Sequence, residues 1–172
     1  LRREPSPTRA LGDALFGRRF PGRPGWLSEM IYEDGAYRCP TDVAWAGGAV
    51  LLISSDCDST VGDWDSERFF LYSEETDFFR RARRCGYKVR SVPGAYARHV
   101  GGGSGTSPAL AALLAVNRIR YYQKYHGRAM SSLFRAAVLI HYLLRSRSTP
   151  EREALRAVFR RSRWSWLPQA EA

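Results

Sequence analysis

A chain of 172 residues is long enough to bury roughly 70% of the surface its unfolded form exposes, so its core needs no disulfide or metal staple. Hydrophobic residues at 44% and aromatics at 13% exclude a disordered chain. The net charge is +10, nearly all of it arginine, with Lys88 and Lys124 the only lysines.

The stretch 1–25 is rich in arginine, proline and glycine and reads as a connector carrying one short helix near 10–16. It has no apolar run of signal-peptide length, so secretion is not expected. Positions 26–32 suit a short strand or helix, and 33–42, with Asp-Gly and Cys-Pro steps, a turn region. Positions 49–55 (AVLLISS) form a continuous apolar run, which predicts a strand buried on both faces. Gly47 and Gly48 precede it beside Trp45, where a glycine permits a tight turn or close backbone approach.

Ser73 is the expected N-cap of a helix that reaches Cys85, with Glu74, Glu75 and Asp77 in its first turn and Gly86 behind its end. Phe78, Phe79, Ala82 and Cys85 recur at helical spacing and should face the core. A strand over 87–92 follows, then an extended piece to His99 and the glycine-rich stretch 101–105. Ser107-Pro108 starts a helix to about His126; further helices are predicted over about 129–145 and 149–163. The longest apolar runs, 109–116 and 136–144, are too short for a membrane-spanning helix, which needs roughly 18 residues.

The charge is unevenly placed. Eight of the 17 acids lie between positions 56 and 77, and from 78 to 150 there is no acid against 14 lysines and arginines. Such a basic stretch fits an anionic partner, whether nucleic acid, a phosphate-bearing substrate or a membrane surface. Cys39, Cys57 and Cys85 have neither zinc nor disulfide spacing and read as reduced thiols packed as small hydrophobes, which fits a reducing cytosol.

The segment 42–104 carries a run of motifs in order: Trp45; Gly48-Ala49-Val50-Leu51-Leu52; Val61-Gly62-Asp63-Trp64-Asp65; Phe69 through Ser73-Glu74-Glu75-Thr76-Asp77; Arg81; Gly86-Tyr87-Lys88-Val89; and Pro93, Ala95, His99, Gly101-Gly102 and Ser104. This run resembles the acceptor-side half of family 2 inverting glycosyltransferases, and within them the bacterial rhamnosyl- and galactofuranosyl-transferases of cell-surface polysaccharide. Asn117-Arg118 and Tyr121-Tyr122 through His126-Gly127 resemble the helix that follows in that family.

The resemblance implies an α/β chain holding part of a GT-A (nucleotide-diphospho-sugar transferase) fold, with a C-terminal helical extension. Its expected parts are a connector over 1–41, the acceptor-side α/β part over 42–106 and a basic helical extension over 107–172. It implies that the donor-binding half is missing from this chain, so that the isolated chain is expected to be inactive. Asp56-Cys57-Asp58 and Asp63-Trp64-Asp65 match the Asp-x-Asp metal motif as strings but fall after the apolar run, and read as loop acids.

By resemblance, Glu75 is the general base, with Asp77 as its fallback. Trp45, Gly48 and Glu74 bind the acceptor; His99 touches the metal or diphosphate; and Gly102 and Ser104 belong to a loop closing over phosphate. The implied cofactor is Mg2+ or Mn2+. The implied partners are a nucleotide-sugar donor and a glycan or lipid-linked acceptor, in the cytoplasm or peripheral on the inner face of the plasma membrane. On spacing alone, Glu74, Glu75 and Asp77 equally suit plain stabilisation of a helix N-terminus, and Trp45 equally suits the core.

The stripe Leu133, Ala136, Ala137, Ile140, Leu143 and Leu144 beside Arg135, Arg145 and Arg147 fits either core packing or an anionic bilayer surface. Two other functions compete with the transferase. One is a non-catalytic, membrane-peripheral scaffold. The other is a nucleic-acid-binding module built on Tyr121, Tyr122 and Tyr125 interleaved with Arg118, Arg120 and Lys124, although no nucleic acid is expected from the resemblance.

Overall fold

The computed structural model describes residues 1–17, 19–99 and 107–169. Helix α1 (Pro7–Phe16) starts where the Ser6 hydroxyl accepts a hydrogen bond from Arg9 N at 3.2 Å, with Pro7 in the first turn. A one-turn 3-10 helix, Gly25–Leu27, packs against it. The approach requires glycine: a Cβ added to Gly12 would stand 2.1 Å from the Leu27 carbonyl oxygen. Helix α2 (Gly35–Arg38) and strand β1 (Thr41–Asp42) follow, then α3 (Ser55–Val61), α4 (Glu74–Arg84) and β2 (Arg90–Ser91). The two strands pair antiparallel, Thr41 opposite Ser91 and Asp42 opposite Arg90. Three long helices complete the chain, α5 (Pro108–Tyr125), α6 (Arg128–Arg145) and α7 (Thr149–Phe159), followed by a 3-10 helix, Arg161–Trp166.

The molecule is mixed α/β but strongly helical, with 55% of the described residues in helix and 4% in strand. None of the described helices is long and apolar enough to cross a membrane. Helices α1, α5, α6 and α7 pack around one core of Ala10, Ala115, Ile119, Tyr122, Phe134, Val138, Ala154 and Val158. A second core forms on α4, where Phe78, Phe79 and Ala82 meet Cys57 and the partly buried Trp45, Leu51, Ile53 and Trp64. Burying each such phenylalanine contributes about 2 kcal/mol. Trp64 stacks on Phe78 with centroids 4.8 Å apart.

The two cores are joined by a polar seam between α4 and α5. Asp77, with no exposed surface, accepts hydrogen bonds from Lys124 Nζ (2.7 Å), the Tyr125 hydroxyl (2.6 Å) and Arg81 Nε (2.9 Å). Glu4 pairs with Arg80 and Arg83 and accepts the Tyr121 hydroxyl at 2.5 Å.

Several expectations are corrected. The apolar run 49–55 forms no strand. Leu51 and Ile53 pack on the α4 core while Val50 and Leu52 stay exposed, Leu52 completely. An apolar run can specify side-chain burial, but a strand also needs a neighbouring backbone, and none of the described residues supplies one here. The strand over 87–92 shrinks to Arg90–Ser91, paired with residues read as a turn.

The stretch 1–41 is not a connector. Arg2 forms isolated bridges with Met30 and Trp45, the Arg3 guanidinium bonds the carbonyls of Ser28 and Met30, and Arg23 is buried against Asp13 and the carbonyls of Gly17, Phe20 and Leu27. Of the thiols only Cys57 is packed inside; Cys39 and Cys85 are exposed. Asp56 and Asp58 lie in the first turn of α3 rather than in a loop, and Asp65 bonds Lys124 at 2.8 Å. The predicted α5, α6 and α7 are present within a few residues of their expected ends, because each boundary carries its own serine, glycine or proline.

Candidate functional site

The entry to α4 carries the unusual local structure. Tyr72 and Ser73 both have left-handed backbone, φ 68° and 72°, and they are the only non-glycine residues with positive φ among those described. A β-carbon makes this conformation costly, by about 1 kcal/mol or more per residue, so it persists only where surroundings impose it. They do so through Asn117. Its fully buried side chain donates to the carbonyls of Leu71 (2.8 Å) and Tyr72 (3.2 Å), and its oxygen accepts from Arg120 (3.0 Å). Ser73 therefore does not act as an ordinary N-cap, and its hydroxyl makes no cap hydrogen bond.

The turn directs the first residues of α4 at a cavity of about 150 Å³ in the seam between the two cores. Glu75, Ser73, Tyr72 and Thr76 form one wall. Trp45 and Arg2 form another, and Arg118, Tyr121 and Phe134 close the far side. A cavity of this volume holds one six-membered ring.

Its polar groups are unequally satisfied. Glu29, nearly fully buried, accepts from Arg118 Nη2 at 2.9 Å and lies 3.6 Å from Arg2 Nη1. Trp45 donates its indole N–H to the Arg3 carbonyl at 3.1 Å, with the Arg2 guanidinium 5.1 Å above its ring. By contrast, one carboxylate oxygen of Glu75, Oε2, is buried and unpartnered, as is Oε2 of Glu74. An orphaned buried carboxylate oxygen costs free energy that a ligand donor would recover. Burial above all, with the neighbouring Glu75 charge adding to it, pushes the Glu74 carboxyl up to about 7.

The expected site residues divide. Glu75, Trp45 and Gly48 come together: Trp45 and Glu75 line the same cavity, and a Cβ built on Gly48 would stand 3.8 Å from Glu75 Cβ. Glu74 precedes Glu75 in the chain but does not line the cavity. Asp77 does not reach the cavity. Both its oxygens are bonded within the seam, so it is not free to accept a proton from a bound hydroxyl. His99 is exposed and away from the cavity wall. Gly102 and Ser104 lie outside the described residues.

Among the described residues no three His, Cys, Asp or Glu side chains converge on one point. They do not provide a donor set for the implied Mg2+ or Mn2+. Tyr121 and Tyr122 are buried, and the Arg118 guanidinium is bonded to Glu29, so these three residues of the basic-aromatic pattern face the interior and not a nucleic acid.

Sequence reasoning missed Arg2, Tyr72, Glu29 and Asn117 as parts of the site. Glu29 and Arg2 carry no motif and arrive from the N-terminal stretch. Tyr72 is chemically unsuited to positive φ and gives no local hint. Asn117 lies in a helix interior, where asparagine is disfavoured, and it belongs to the stretch matched to the family's following helix, but neither signal gave it a part in the site. No family model matches the chain, and neither does any curated protein or solved structure.

Proposed function

We propose that the chain is the acceptor-side part of an inverting glycosyltransferase, with Glu75 as the general base. The observation that carries this reading is that Glu75, which has a buried carboxylate oxygen without a donor, lines a ring-sized cavity together with Trp45 and two arginines. A sugar presents an apolar ring face and several hydroxyls, and this wall offers an indole for the first and a carboxylate for the second.

In the proposed reaction an acceptor hydroxyl donates to the Glu75 carboxylate. As its oxygen forms a bond to the anomeric carbon of the donor sugar, its proton passes to Glu75. The bond from that carbon to the diphosphate oxygen breaks on the opposite face, and the electron pair leaves with the nucleoside diphosphate. The anomeric configuration inverts.

The test uses the natural gene product from its source cells, assayed against a panel of sugar nucleotides. Glu75→Gln keeps the shape and removes the base. It should lower kcat by about 10²–10⁴ while leaving the KM for the donor within a few fold. Turnover retained by Glu75→Gln would refute the assignment.

A further inference from the structure

Helices α6 and α7, with the residues just after α7, line a groove of about 480 Å³ that shares no residue with the Glu75 cavity and is within the range of small-molecule sites. Its floor is Leu139 and Leu143 from α6 with Leu155 and Phe159 from α7; its rim is Arg156, Arg160 and Arg163.

Two features set this groove apart from an ordinary surface cleft. Its apolar wall is exposed, Leu143 at 60% and Phe159 at 68%, and α6 also carries the exposed Leu133 and Leu144. Its surroundings are also almost purely cationic. From position 128 to 169 there are nine arginines against two acids, Glu151 and Glu153. Glu153 is occupied by Arg156 and Arg163, while the Arg160 side chain makes no hydrogen bond or ion pair among the described residues. Arg135 reaches across from α6 to bond the Val158 and Phe159 carbonyls, adding positive charge where α7 ends. Trp166, 88% exposed, follows on the same terminal segment.

We infer that the α6–α7 groove is a docking site for an anionic phospholipid of a bilayer, with an acyl chain lying on Leu139, Leu143, Leu155 and Phe159 and the phosphate at Arg160. Charge complementarity selects the occupant. A neutral apolar peptide would leave the arginine rim uncompensated, and a free phosphate would leave the leucine floor wet. Exposed tryptophan and phenylalanine next to arginines are the groups that settle at a bilayer interface. The assignment stands independently of the transferase reading, since it involves none of the residues around Glu75.

The full chain is sedimented with vesicles of phosphatidylcholine alone and of phosphatidylcholine with 30% phosphatidylglycerol. Three exposed-site variants are compared: Arg160→Ser, the charge-neutral pair Leu143→Ser with Phe159→Ser, and a distant basic control, Lys88→Ser. Binding is expected to the anionic vesicles only. Arg160→Ser should weaken it about fivefold, the Leu143/Phe159 pair at least tenfold, and Lys88→Ser should leave it unchanged.

Circular dichroism of each variant confirms that α6 and α7 persist, and a variant losing helix is replaced by the milder Leu143→Ala. Equal loss in Lys88→Ser and Arg160→Ser, or no loss in the apolar pair, would overturn the groove in favour of unspecific charge attraction. Competition by millimolar inorganic phosphate alone, with no effect of the apolar pair, would overturn the acyl-chain contact. Absence of binding to anionic vesicles would overturn the proposal outright.

Discussion

Glu74 and Glu75 sit side by side at the start of a helix, yet their surroundings separate them. Glu75 faces the cavity; Glu74 holds its proton up to about 7, chiefly because it is buried and secondarily because Glu75 is charged. The sign of its effect on stability follows. Unfolded, Glu74 titrates near 4.5; folded, near 7. Between those values the folded chain binds the proton more tightly, so stability is full below about pH 4.5 and declines as pH rises through 7. Glu74→Gln removes the decline. Urea denaturation should find the variant more stable than the parent at pH 8 and close to it at pH 4.5. An equal difference at both pH values would mean that the Glu74 charge is not what burial disfavours. At this scale the sequence pointed to the acid that lines the cavity without showing why its neighbours differ. Asp77, two residues on, is tied up by Lys124 and Tyr125, 47 and 48 positions away. That pairing is a property of the α4–α5 seam and leaves no trace in the local string.

Helix α4 and helix α5 both follow a serine, but they begin by different physics. At α5 the Ser107 hydroxyl accepts from Leu110 N at 3.2 Å, with proline in the first turn. At α4 the Ser73 hydroxyl makes no such bond, and its backbone is left-handed. Replacing Ser107 by alanine should therefore cost about 1 kcal/mol, while the same change at Ser73 removes no cap. Ser73→Gly should instead stabilise by roughly 0.5–1 kcal/mol, because glycine adopts positive φ without the steric penalty. Chemical denaturation of the three variants checks all three signs; a destabilising Ser73→Gly would show that the turn is not strained. The helices were legible because serine, proline and glycine act within a few residues of themselves. The strand over 49–55 was not, since the same apolar pattern serves an extended segment with one packed face, Leu51 and Ile53, and one bare face, Val50 and Leu52. Whether such a segment becomes a strand is decided by a partner elsewhere, and so was the presentation of Glu75, which depends on Asn117.

Across the whole molecule, arginine-rich segments that look solvated by composition are built into the interior. Arg23, Arg118 and Arg145 each reach buried carbonyls or carboxylates, and this is why the stretch read as a connector locks α1 onto α6. His141, on that same α1–α6 interface, registers the result. Burial first, then the nearby Arg145 and Arg118 charges, depress it to about 4, with Asp13 opposing. A histidine held neutral in the folded chain and titrating near 6.5 when unfolded contributes stability that is complete above about pH 6.5. That stability is lost as pH falls toward 4, because there the unfolded chain takes up the proton first. Glu74 acts with the opposite slope over part of this range, so the two must be separated by variants. The stability difference between His141→Gln and the parent, measured by urea at half-unit steps from pH 4.5 to 7.5, should shift steadily in favour of the variant as pH falls below 6.5. It should stay constant above that value. A difference that does not change with pH would mean that the imidazole can charge inside the fold. The α1–α6 interface would then have to be wet enough to solvate a cation already flanked by two arginines.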